Sequence, residues 1–177
     1  MLLMIVLVLT VLYWRNSSGT HEKAGCERNL QTMYLALQVY ANDSRGKFPE
    51  VDGATNSETP LSLLVPHYTI DTSAFICPNS KDAPLPPSEP FPNRKISYAY
   101  YMGRSTEAPQ EILMSDRQVN TNSKAGGELV FSENGLPPGN NHRNGGNFLQ
   151  ADGTTEFSPP HAGFSLTFTQ GIVLLNP

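Results

Sequence analysis

The chain has 177 residues, 38% of them apolar and 16% charged, with 15 prolines and 14 glycines; this fits one modest core, many turns and a terminal appendage. A formal net charge of -4, with no cluster of lysine or arginine to neutralise phosphates, argues against a nucleic-acid partner. Two cysteines, Cys26 and Cys77, stand too far apart for a CxxC redox or zinc pair and read either as one disulfide or as two half-buried thiols.

The first element is an apolar run. From Leu2 to Trp14 only Thr10 and the Tyr13 hydroxyl interrupt it, and as a helix it would reach ~20 Å into the ~30 Å hydrocarbon core of a bilayer. Nothing basic precedes it, and the bulky Tyr13-Trp14-Arg15 sits where a signal peptidase would need small residues. Residues 1–15 are therefore read as a membrane anchor whose start lies upstream of Met1, with Tyr13 and Trp14 at the membrane–water interface. Arg15 and Lys23 follow the run and weigh weakly against export of the body.

Residues 16–177 make the head. After a polar break over 15–19, apolar residues at Cys26, Leu30, Met33, Tyr34, Leu37, Val39, Tyr40 and Ala41 predict an amphipathic helix over 20–44, capped by Thr20 and stopped by Gly46 and Pro49. The stretch "TPLSLLVPHYTI" predicts a short helix with Pro60 in its first turn, ended by Pro66. "SAFICPNS" reads as a short buried strand or an extended edge stopped by Pro78, and "KDAPLPPSEPFPNRK" as a proline-rich loop. "KISYAYYMG" and "EILMSD" predict strands. "ELVF" is the one apolar kernel of a turn-rich stretch, and "FSLTFTQGIVLLNP" predicts two last strands around Gly171.

Between them lies "HRNGGNFLQADG", His142 to Gly153. Asp-Gly between alternating runs predicts a β-hairpin, because glycine reaches positive φ at no steric cost. Phe148 and Phe157 are then expected to face the core, Gly145-Gly146 to allow a close backbone approach, and Asp152 to bond the N–H groups of its own turn. The chemical alternative is a general-base pair or a metal ion shared by His142 and Asp152, completed by Asp116, Asp43 or Glu133 if the fold gathers them. His67 and His161, beside prolines, read as surface histidines. No GxSxG, HExxH, phosphate-binding or dinucleotide-binding fingerprint occurs.

Taken together, "CERNLQTMYLALQVYANDSRGKFPE", "FICPNS", "SYAYYMG" and the His-x9-Asp-Gly of "HRNGGNFLQADGTTEF" resemble the type II secretion pseudopilin-like proteins. These are prepilin-type cleavage/methylation proteins with a His-x9-Asp-Gly motif, from planctomycetes and verrucomicrobia. The resemblance rests on Cys26, Asn29, Leu30, Leu35, Ala36, Leu37, Gly46, Pro49, Phe75, Cys77, Pro78, His142, Gly146, Asn147, Leu149, Asp152 and Gly153. The family's basic leader and Gly-Phe-Thr-Leu-Ile-Glu start are not in this sequence, and Thr154 stands where the family has histidine.

The resemblance implies a pilin-like α+β fold, with a long N-terminal helix on an antiparallel sheet. It also implies a non-enzymatic, single-pass subunit of the bacterial inner membrane with its head in the periplasm. Its partners would be other pseudopilins and the secretion or pilus machinery. On this view His142, Gly146, Asn147, Asp152 and Gly153 are a structural hairpin motif, and no cofactor is expected beyond a calcium ion that family analogy allows without naming ligands. The competing expectation is an exported metal-dependent enzyme or ligand-binding module centred on His142 and Asp152.

Overall fold

The computed structural model describes residues 2–91, 94–136, 139 and 141–177, with side chains given for Met4 and from Ala24 onward. Apart from Met4, the side chains of the anchor expected at 1–15 lie outside those described, while the backbone runs as one helix through the break expected at 15–19 and past the start expected at Thr20. Among the described residues no helix is long and apolar enough to cross a membrane.

Helix α1 spans Leu2–Asp43. Along its described part Cys26, Leu30, Met33, Leu37 and Ala41 are all buried. Their steps of three and four keep one stripe of a 3.6-residue helix against the core. Val39, expected on that stripe, is 51% exposed: two steps beyond Leu37 turn it ~200° away, onto the opposite face. The helix stops where the Gly46 N–H donates back five residues to the Ala41 carbonyl at 2.8 Å, a wide closing turn that satisfies an otherwise orphaned carbonyl.

Helix α2 (Glu58–Leu61) runs on into a 3-10 turn at Ser62–Leu64, so the short helix expected before Pro66 is present. The strand expected at "SAFICPNS" is not. Thr72–Phe75 form a 3-10 turn instead, because the Asp71 carboxylate accepts the Ser73 N–H at 3.0 Å and caps it. Phe75 and Cys77 are buried all the same.

One antiparallel sheet holds the rest: β1 (Tyr98–Met102), β2 (Ile112–Asp116), β3 (Gly146–Gln150), β4 (Thr155–Ser158) and β5 (Val173–Leu175). Their spatial order is β4-β3-β2-β1-β5. The final stretch was expected to give two strands but gives β5 alone. Before Gly171, Leu166 instead exchanges backbone hydrogen bonds with Lys124, and the segment lies over the sheet as cover.

Alternation divides the sheet into two buried faces. Tyr98, Tyr100, Met114, Leu149 and Leu175 pack with the α1 stripe. On the other face Phe148 joins Val130, Phe131, Ala162 and Leu166, while Ala99, Tyr101 and Leu174 make a further cluster. Loops rather than helices cover this second face. They are held partly by Lys124, whose ammonium donates to the Gln118 side chain and to the carbonyls of Asn120 and Asn122 at 2.9–3.1 Å. The architecture is α+β, one helix across a five-stranded antiparallel sheet.

Candidate functional site

The His142–Gly153 segment divides at β3. At its far end Asp152 and Gly153 make the β3–β4 turn. The Asp152 carboxylate accepts the Thr154 N–H at 2.8 Å and the Gln110 side-chain amide at 2.9 Å; the backbone bond to Thr154 is the main reason its pKa falls below the ordinary value. Gly153 has φ +90°, and a Cβ there would stand 2.5 Å from the Tyr34 ring of α1. The turn joins β3 to β4, where the sequence predicts a hairpin, and lies against the helix. Phe148 is buried as expected, but Phe157 is 44% exposed. The register explains the difference: Phe148 pairs with Glu156, and Phe157 pairs with Asn147, which puts the two rings on opposite faces with Phe157 on the sheet's edge.

At the near end of β3 the glycines allow the predicted close approach. A Cβ on Gly145 would collide with the Ser158 carbonyl, and one on Gly146 would stand 2.8 Å from the Phe131 ring and 3.0 Å from Asp116. This brings the preceding loop under α1, where His142 is buried with 2% exposure. Its Nε2 lies 3.3 Å from Asp116 Oδ2 and 3.6 Å from Cys77 Sγ. Cys77 is disulfide-bonded to Cys26 of α1, with Cα atoms 5.3 Å apart. The ligand-capable atoms of Cys26, Cys77, Asp116 and His142 all fall within 4.8 Å of one another, and all four residues are buried.

The carboxylate is held from several sides. Asp116 ends β2 on the α1 face, opposite Tyr98. Its Oδ1 accepts the Asn141 amide at 2.8 Å, and its Oδ2 accepts the Asn147 backbone N–H at 2.8 Å and side-chain amide at 3.1 Å. Burial, and then the Asp116 charge, push the Tyr98 phenol well above its ordinary range. The Tyr98 hydroxyl accepts the Asn29 amide, which also donates to the Ile76 carbonyl, so α1 and the Cys77 loop are tied a second time beside the disulfide. His142 Nδ1 is buried with no partner among the described residues.

The expected pairing of His142 with Asp152 does not occur. Asp116 ties His142 to Asn147 at the start of β3, whereas Asp152 lies in the turn beyond its end at Gln150, and the strand between is roughly 14 Å long at ~3.4 Å per residue. Of the residues named as further ligands Asp116 is at the histidine; Asp43 ends α1 and Glu133 pairs with the exposed His161. Thr154 and His67 are both exposed. The sequence reading missed that both cysteines stand at His142. One signal was present: Asp116, closing an apolar strand, had to be buried with partners.

The stretches that carry the sequence resemblance meet here: Cys26 from the helix motif, Cys77 from Phe-x-Cys-Pro, and His142 and Asn147 from the late motif. No family model, no curated protein and no solved structure matches the chain.

Proposed function

We propose that the chain is a non-enzymatic, membrane-anchored pseudopilin-like subunit of a type II secretion or type IV pilus-like system. It is single-pass in the bacterial inner membrane, with residues 16–177 as a periplasmic head. The observation that carries this reading is the role of α1. Its later part is the spine of the head, with one buried stripe laid on an antiparallel sheet, while the sequence of its earlier part turns apolar on all sides. A helix of that composition suits a bilayer better than water.

Two further features support it. The imidazole of His142 and the carboxylate of Asp152 are each engaged in holding the fold, at separate ends of β3. On the outer face of α1, Leu35 and Val39 are 66% and 51% exposed one turn apart, an apolar strip suited to a neighbouring subunit's helix. In the membrane the anchors associate by close helix packing.

The test is expression of the full chain in a bacterial host. The chain is expected to remain with the membranes after an alkaline carbonate wash, and its head to be digested by protease added to spheroplasts. Leu35→Cys should give crosslinked oligomers under a bismaleimide. Recovery of the full chain in the washed supernatant, or a head protected from external protease, overturns the reading.

A further inference from the structure

We propose that Cys26, Cys77, His142 and Asp116 form a redox-gated metal site, in which reduction of the disulfide creates a closed tetrahedral centre for a zinc-like divalent cation. The inference stands apart from the pseudopilin reading and holds for either function.

The fold gathers four donor atoms, two of them joined in the disulfide, within one cluster of 4.8 Å. Tetrahedral zinc takes nitrogen and oxygen at ~2.0–2.1 Å and thiolate sulfur at ~2.3 Å, so its ligands stand roughly 3.3–3.8 Å from each other. His142 Nε2 lies 3.6 Å from Cys77 Sγ and 3.3 Å from Asp116 Oδ2, two edges of such a tetrahedron. Cys26 Sγ, bonded to Cys77 Sγ in the same 4.8 Å cluster, supplies the fourth corner once reduction parts the two sulfurs. The set is two sulfurs, one imidazole and one carboxylate, the donor types zinc prefers, and four protein ligands make a closed structural site rather than an open catalytic one.

The surroundings fit the same role. Asn141 and the backbone and side chain of Asn147 fix the orientation of Asp116, as outer-shell donors fix a ligating carboxylate. In the disulfide form the arrangement leaves a cost. An imidazole and a carboxylate are buried side by side, and His142 Nδ1 has no partner among the described residues, whereas an apolar pair would fill such a core without desolvation. A metal on Nε2 gives that polar pair its function.

Bonded to each other, the sulfurs carry no thiolate charge and hold no metal, so the disulfide is the closed gate. A phosphine or dithiol reductant opens it. With a phosphine, the S–S bond breaks, phosphorus is oxidised by taking the oxygen of one water, and that water's two protons go to the two sulfurs. Binding M2+ then releases both thiol protons to solvent as two S–M bonds form, and neutral His142 and ionised Asp116 complete the shell. The cation replaces the disulfide as the link between α1 and the Cys77 loop.

The experiment uses the full chain, in detergent, with and without a non-chelating phosphine. Reduced protein is expected to bind one zinc per chain and oxidised protein none. Cobalt(II) should give the visible bands of a tetrahedral site, with thiolate charge-transfer absorption, and zinc should restore the thermal stability lost on reduction. His142→Gln and Asp116→Asn should each weaken zinc binding by at least about tenfold, and Cys26→Ala/Cys77→Ala should abolish both the uptake and the zinc-dependent rise in Tm. Circular dichroism identifies any variant that fails to fold, in which case the cobalt spectrum of the reduced wild type decides between four ligands and two. Equal zinc uptake by the oxidised chain, no rise in the Tm of the reduced wild type with zinc, or unchanged affinity in a folded His142→Gln protein overturns the proposal.

Discussion

Gly153 shows at one residue how local backbone and tertiary packing make the same demand. Its φ of +90° is a region that L side chains rarely adopt, and the Tyr34 ring occupies the space a Cβ needs. Gly153→Val therefore combines backbone strain with overpacking and should destabilise the head by about 2–4 kcal/mol, read as a lowered midpoint in urea. An effect below ~0.5 kcal/mol would show that the turn relaxes freely and is no anchor for the hairpin. Glu58 makes a different argument. It is 3% exposed, with one carboxylate oxygen accepting the Ile96 N–H and the other without a partner among the described residues. Desolvation raises its pKa despite the opposing bonds to backbone N–H groups and the charges of Arg117 and Lys95. An acid with a raised folded pKa holds its proton more tightly in the folded state. Its contribution is therefore complete below the ordinary carboxyl value and is lost as pH rises from there through the folded pKa. Glu58→Gln keeps an acceptor for Ile96 and removes the ionisation. The difference in stability between variant and wild type should thus move in the variant's favour from mildly acidic to neutral pH. Parallel pH profiles of unfolding would refute the buried ionisation.

The elements read from sequence are those whose side-chain period matches a one-sided environment. The α1 stripe and the β1, β2 and β3–β4 strands all announce themselves that way, and Asp-Gly fixed the hairpin's turn. The failures also have physical causes. The expected strand at Thr72–Phe75 lost to a local carboxylate cap from Asp71, and the second late strand lost to a pairing with Lys124 that only the assembled second face provides. Phe157 was misplaced because the register, not the alternation alone, decides which face an edge residue takes. The helix offers a matched test of how the stripe is assigned. Leu37 is fully buried and Leu35, two residues earlier, is 66% exposed. Leu37→Ala should cost ~2–5 kcal/mol through lost burial and a cavity, while Leu35→Ala in the isolated chain should fall within about 0.5 kcal/mol of wild type. Comparable losses at both sites would mean that the face bearing Leu35 is covered in the chain as studied, by a second copy for instance.

At the scale of the molecule, the site was the least legible part because it is made by four segments that meet only when the fold is complete. A sequence separation of 51 between the cysteines carries no information on their distance, and nothing local connects Asp116 to His142. That same long separation gives the disulfide its weight. Closing a loop of this length removes unfolded-state freedom worth about 4 kcal/mol in the chain-entropy account, a large share of the ~5–15 kcal/mol that holds a typical domain together. The joint is doubled, however: Asn29 of α1 bonds both the Ile76 carbonyl and the Tyr98 hydroxyl beside the bridge. The paired variant Cys26→Ala/Cys77→Ala should therefore keep its sheet, with an unchanged far-ultraviolet circular dichroism spectrum. It should lose about 2–5 kcal/mol of unfolding free energy in urea. Adding Asn29→Ala should then cost more in the cysteine-free chain than in the wild type, because residues sharing one contact point do not act independently. Strict additivity of the two changes would place the amide and the bridge in separate structural units, and the joint between α1 and the Cys77 loop would then not be a shared one.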